Sequence, residues 1–239
     1  MLAFNRSARA SEKTKPLDTQ YSLYQRLVQM MIGWGSVGVV YFAFGWRETQ
    51  TLVLPKLWLD QHIAFNPQGI WLYLLFFILI PYCYITVAAK RLLALRYAMQ
   101  VSAILSGIVF LMIPTTLDYP VIVGQGLSVQ VLKFLVTNDS TQNCLPSLHA
   151  ALSLICVIAL WQSQQLMKSL FIAALGIAIG ISIIQLRRHL SIDVAAGLIV
   201  GLLSCYLSLV LQRLHQYFRN ILSHMFNNTV SRISGSEKD

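Results

Sequence analysis

The chain has 239 residues, of which 56% are hydrophobic and only 11% charged, whereas a soluble domain carries about a quarter charged residues. Its net charge of +9 does not point to nucleic acid: Lys and Arg cluster between apolar runs, as the positive-inside rule expects, and no soluble module offers a basic face. The apolar runs are about 17 to 22 residues long, enough to cross a hydrocarbon core about 30 Å thick at about 1.5 Å per residue, so the composition points to an integral membrane protein with one helical domain.

Residues 1–20 are polar and basic and read as a disordered cytoplasmic tail; no apolar segment precedes the first run to act as a signal peptide. The first span is expected over 27–45. It contains Gly33-Trp34-Gly35-Ser36-Val37-Gly38, formally a dinucleotide fingerprint, but no strand precedes it. Small residues that let helices approach closely account for it better. Residues 46–69 form a loop whose Trp46 and Trp58 suit a membrane–water interface, with room for an interfacial helix. The second span covers 70–89 with Pro81 as a kink, Lys90, Arg91 and Arg96 form a basic turn, and the third span covers 97–113. Val121 to Val136 is apolar but interrupted by Gln125, Ser128, Gln130 and Lys133, which suggests a surface segment and not a crossing. The fourth span starts at Pro146, a favoured first helical residue, and ends near Trp161. The fifth covers 169–186 and the sixth 190–211, with Gly176/Gly180 and Gly197/Gly201 as helix-packing pairs. A basic tail follows from 212 to 239.

The expected fold is therefore all-α: a polytopic membrane bundle of six transmembrane helices over 21–211, with both termini on one side. Most Lys and Arg fall in the two tails and in the 90–96 and 162–168 turns, against Arg47, Lys56, Lys133, Arg187 and Arg188 on the other side. That asymmetry puts both termini in the cytoplasm. Of the four cysteines, Cys83, Cys156 and Cys205 lie in apolar runs and read as small hydrophobes, and no spacing suggests zinc or a disulfide framework.

Spans four and six are separated by one span, so their N-terminal ends emerge on the same, extracytoplasmic face. One end carries Ser147 and His149, the other Arg187, Arg188, His189 and Asp193. On a helix His189 and Asp193 share a face one turn apart, where a carboxylate fixes the histidine's tautomer and leaves its second nitrogen free as a nucleophile. Two helix N-termini make a natural anion site, Ser147 adds a hydroxyl, and Arg187 and Arg188 offer forked donors for phosphate. Blander roles exist: the arginines as interfacial anchors and Ser147 as a helix cap. His62, His215 and His224 lack such company, and Asp118 and Asp139 read as solvated loop charges.

Pro146-Ser147-Leu148-His149 and His189-x-x-x-Asp193 resemble the second and third signature motifs of the type 2 phosphatidic acid phosphatase superfamily. Leu148 and Ser191-Ile192-Asp193-Val194 are similar to its inositolphosphorylceramide synthase branch. The resemblance covers about residues 90–211. It implies that His189 is a nucleophile forming a phosphohistidine, His149 the general acid, Asp193 the residue orienting His189, and Ser147 a phosphate contact, with no metal and no cofactor. It also implies a membrane lipid as substrate and a multi-pass protein of a bacterial inner or plasma membrane. Two departures stand out. Ile113 to Pro120 occupies the place of the first motif without an arginine, and Ile183 stands where the third motif has one. Arg187, Arg188 and Lys133 are the candidates to replace them. Three activities compete: a lipid phosphatase, a headgroup transferase using the same histidines, and a transporter in which they relay protons.

Overall fold

The computed structural model describes residues 21–45 and 50–235, with side chains as far as 221. The tail 1–20, Arg47 and the His224 side chain lie outside the described part. Helix accounts for 76% and strand for 3%, so the helical expectation holds apart from one two-residue ladder. The α-helices are α1 (Leu23–Gly45), α2 (Trp58–His62), α3 (Ile70–Thr86), α4 (Ala89–Met112), α5 (Leu127–Thr137), α6 (Leu148–Leu160), α7 (Leu166–Gln185) and α8 (Ser191–Gly235). Among the described residues, five helical stretches are long and apolar enough to cross a membrane: Leu23–Gly45, Pro67–Thr86, Ala89–Met112, Ser163–Gln185 and Ser191–Ile221. With 13 residues, α6 is about 20 Å long, shorter than the others.

Several boundaries differ from those read in the sequence, each for a local reason. Lys90, Arg91 and Arg96 are not a turn but the opening of α4. Long cationic stems lie along a helix while their heads reach polar groups, and Arg91 Nη1 donates to the carbonyls of Ala159 and Trp161. Pro146 precedes α6 instead of opening it. Ser147 is the N-cap, its Oγ accepting from the Ala150 N–H at 3.3 Å. The basic tail expected from Gln212 continues α8 as helix to Gly235. Pro81 lies inside α3, which runs through it. The surface segment before α6 contains only the short α5, beginning at Leu127.

Close approach of helices, not exclusion of water, holds a membrane bundle together. Exposed Val39, Ile78, Met112, Phe171 and Tyr206 show that the outside is as apolar as the core of Ile80, Leu92, Met99, Leu152, Ile155 and Ile179. The α6–α8 contact is built on small residues. A Cβ on Gly197 would run into the backbone carbonyl of Ser147, and one on Gly201 would sit 2.9 Å from the Ala151 carbonyl. Gly33 meets the Tyr84 hydroxyl in the same way, whereas Gly35 and Gly38 face open space, so the packing role of the 33–38 pattern falls on its first glycine. Gly197→Ala should destabilise the protein by about 1 to 3 kcal/mol, the usual cost of overpacking. Gly35→Ala should change nothing, and thermal unfolding of both variants in detergent checks the contrast.

Outside the bundle, β1 (Leu52–Val53) and β2 (Thr115–Thr116) pair in parallel, and Thr115 bridges to Asn143. The Thr115 carbonyl accepts from Cys144 N–H at 3.4 Å, and its hydroxyl accepts from Leu145 N–H at 2.8 Å. The segment around Thr115 thus braces the loop that leads into α6.

Candidate functional site

The N-terminal ends of α6 and α8 meet directly: the Ser147 N–H donates to the Asp193 carbonyl at 3.0 Å. Close glycine packing lower down lets the two starts touch, and the result is a pair of imidazoles. The rings of His149 and His189 have centroids 5.5 Å apart, tilted by 59°.

His189 does not lie on a helix. After Gln185 the chain closes α7 with Arg188 N–H bonded to the Ile183 carbonyl and Arg187 N–H to the Ile184 carbonyl, both at 3.0 Å, the pattern of a Schellman cap. Such a cap needs a left-handed residue, normally glycine, and here it is Arg187 with φ of 52°. His189 therefore sits in the turn between α7 and α8. Asp193 reaches it all the same, with Oδ2 3.5 Å from His189 Nδ1. That is an ion-pair distance, too long for a good hydrogen bond. The same oxygen accepts from Leu190 N–H at 2.9 Å, the half of a capping box made by a third-position carboxylate, where the helix dipole favours negative charge. Oδ1 of Asp193 and Nδ1 of both histidines are buried without a hydrogen-bond partner.

The arginines part company. Arg187 Nη2 donates to the carbonyls of Asp60 and Ile63, at 2.7 and 2.6 Å, which ties the turn to α2 and commits this guanidinium to the backbone. Arg188 turns inward and donates to Asp139 Oδ2 at 2.7 Å, with the Tyr119 ring 5.0 Å from its centre. Asp139 is thus not the solvated loop charge that its polar neighbours suggest. It is largely buried and also accepts from the Tyr41 hydroxyl. Burial alone would raise its carboxyl, but the Arg188 charge and the Tyr41 hydroxyl outweigh that and hold it below its ordinary range. Asp118, by contrast, is exposed and pairs with Lys56 at 3.1 Å. Ser147 is fully buried beside the histidines, with its oxygen in the cap. Lys133 is turned to the Gly124 carbonyl at 3.4 Å. Burial pushes the Cys144 thiol up to about 12, which leaves it a bystander under Tyr119.

Two residues of the site gave no signal in the sequence. Tyr73, one aromatic among several in α3, bonds His149 Nε2 at 2.9 Å. Asp60 is fully buried and accepts from Ser191 N–H at 2.7 Å and Ser191 Oγ at 2.9 Å, capping α8 from outside the helix. If the Tyr73 hydroxyl donates to Nε2, the neutral His149 carries its proton on Nδ1. For a catalytic histidine pair, Tyr73→Phe should then lower turnover by about tenfold, the effect of about one hydrogen bond. It should also move the limb of the pH–rate profile that reports His149, while a merely structural residue would leave the profile in place.

A cavity of about 490 Å³ runs between α1, α3, α5 and α6. Trp34, Phe42, Phe76, Phe77 and Leu152 are among its apolar walls, and His149, Asp139 and Tyr73 also line it. Among the described residues, no cluster of His, Cys, Asp and Glu has the composition of a metal site. Chemically, two imidazoles at this separation suit attack on one tetrahedral centre by the first and protonation of the leaving oxygen by the second.

No family model matches this sequence, and neither a curated protein nor a solved structure does, so what the chain does has to be read from the site.

Proposed function

We propose that the protein is an integral membrane phosphoryl-transfer enzyme of the type 2 phosphatidic acid phosphatase kind, hydrolysing a lipid phosphate or diphosphate through a phosphohistidine. In this reading His189 Nε2 attacks phosphorus, Asp193 holds the opposite ring nitrogen, and His149 protonates the departing lipid oxygen. Water, deprotonated by His149, then releases phosphate and frees His189. The observation that carries the reading is the pairing of His149 with His189 at 5.5 Å, with His149 also on the wall of an apolar cavity. A lipid needs both features, an apolar channel for its chain and polar chemistry at one end. Ionisable groups at membrane depth are costly and mark function.

The proposed topology has six crossings, both termini in the cytoplasm and the site on the extracytoplasmic face. The short α6 is the fourth crossing in chain order, added to the five long ones. It packs on α3, α4, α7 and α8, and a short helix enclosed by others avoids exposing backbone to lipid.

One observation favours a second reading, transfer of a headgroup to another lipid or sugar hydroxyl. Arg188 is the one buried cation among the described residues, and Asp139 already pairs with it, so little positive charge is left for a doubly charged monoester. Incubating the purified protein in vesicles with a panel of lipid phosphates separates the two. Release of inorganic phosphate supports hydrolysis, and a new phosphodiester lipid without phosphate release supports transfer. A proton flux with neither product would leave the histidines as a relay and overturn both.

A further inference from the structure

Arg188 arrives at the site half satisfied. Its Nη2 is engaged by Asp139 at 2.7 Å and, more loosely, by the Ser140 carbonyl at 3.3 Å. Its Nε and Nη1 are buried with no partner, on a side chain only 3% exposed. Leaving charged donors buried and unmatched is costly, and an anion reaching Nε and Nη1 would complete them. Asp139 is held from its other side by the Tyr41 hydroxyl and the Ser140 N–H, and it shares the cavity wall with His149. An anion drawn to Arg188 therefore also meets a fixed carboxylate. Arg187 and Lys133 are turned to carbonyls elsewhere and do not offset it.

We infer that Asp139 is a specificity-determining residue: by pairing with Arg188 it tunes the site to phosphoryl groups carrying a single negative charge and disfavours dianionic ones. This rests on the phosphoryl-transfer reading above and, within it, favours the headgroup-transfer arm over hydrolysis of a monoester. A phosphomonoester carries close to two negative charges near neutral pH, because its second ionisation lies near pH 6, and a phosphodiester carries one. The step itself is the same for both. The Nε2 lone pair of His189 forms the bond to phosphorus, the P–O bond to the lipid alcohol breaks, and that oxygen takes a proton from His149. A second hydroxyl then attacks phosphorus, gives its proton to His149 and frees His189. Asp139 acts on which phosphate is tolerated beside Arg188, not on the bonds.

The test measures kcat/KM of the full chain in vesicles on two lipids with the same tail, one a phosphomonoester and one a phosphodiester. Asp139→Asn should raise the monoester-to-diester ratio by about tenfold or more, the effect of removing one unit charge at a partly buried site. Asp139→Glu should keep the wild-type ratio. A fall in both rates with an unchanged ratio for Asp139→Asn would mean that Asp139 only anchors the loop, and the inference is overturned. Should the wild type turn over neither lipid, the phosphoryl-transfer reading itself fails and takes the inference with it. A second measurement serves where Asp139→Asn does not fold. At pH 8 the wild-type enzyme should be inhibited by dimethyl phosphate, a monoanion, about tenfold more strongly than by dianionic inorganic phosphate. Equal or stronger inhibition by inorganic phosphate overturns the inference.

Discussion

Replacing His189 by alanine is expected to abolish turnover of lipid phosphates. The ring sits in the turn between α7 and α8 with Nδ1 toward Asp193, which leaves Nε2 as the atom able to attack. Loss of a covalent nucleophile removes the whole two-step route. In a serine protease it costs on the order of a millionfold, and an effect of that order is expected here. Folding should be little affected, because the Schellman cap and the Asp60 bonds to Ser191 that shape this turn use the backbone and other side chains. Rates on a lipid phosphate, measured beside thermal unfolding, check both halves. An alanine variant that keeps most of its activity would remove His189 from the nucleophile's role.

Asp193→Asn is expected to slow turnover by about ten-thousandfold, as loss of an orienting carboxylate does in a serine protease. Two effects add. The amide cannot balance the positive charge that the imidazole gains when its Nε2 bonds to phosphorus, and it presents either a donor or an acceptor to His189 Nδ1, without a carboxylate's freedom. The 3.5 Å separation has to close by about half an ångström for a good hydrogen bond, and only a charged partner drives that. Because Oδ2 also accepts from Leu190 N–H, some loss of stability is expected as well. Loss of this cap amounts to about 1 kcal/mol, far below the catalytic effect. Near-normal rates would show that Asp193 serves the helix alone.

Much of the architecture was legible because apolar runs of membrane length admit few alternatives. That the α6 and α8 starts share a face needed only the count of intervening spans, and the close approach at Gly197 and Gly201 is what brings them into contact. What the sequence hid was anything decided by contact between distant segments. Asp139 lies in the polar run Asn138 to Asn143, where a solvated carboxylate would look the same. Only the turn after α7 brings Arg188 against it. Tyr73 is indistinguishable from its aromatic neighbours until α3 packs beside His149. Arg187 and Arg188 are adjacent and alike in sequence, yet the left-handed φ at Arg187 sends one guanidinium to α2 and the other into the site. The spacing of His189 to Asp193 fits one turn of helix. The cap that ends α7 takes up that residue first, and the contact survives because a tight turn also spans it. The opening of α4 reads as a turn in the sequence because three cations in seven residues resemble one.

The direct measurement is to quench the enzyme during turnover of a lipid labelled in its phosphoryl group and to map the label by mass spectrometry. An acid-labile phosphoryl adduct is expected on the peptide that carries His189, present in the wild type and lost in His189→Ala. Turnover with no label on the protein, or with the label on another residue, would contradict it.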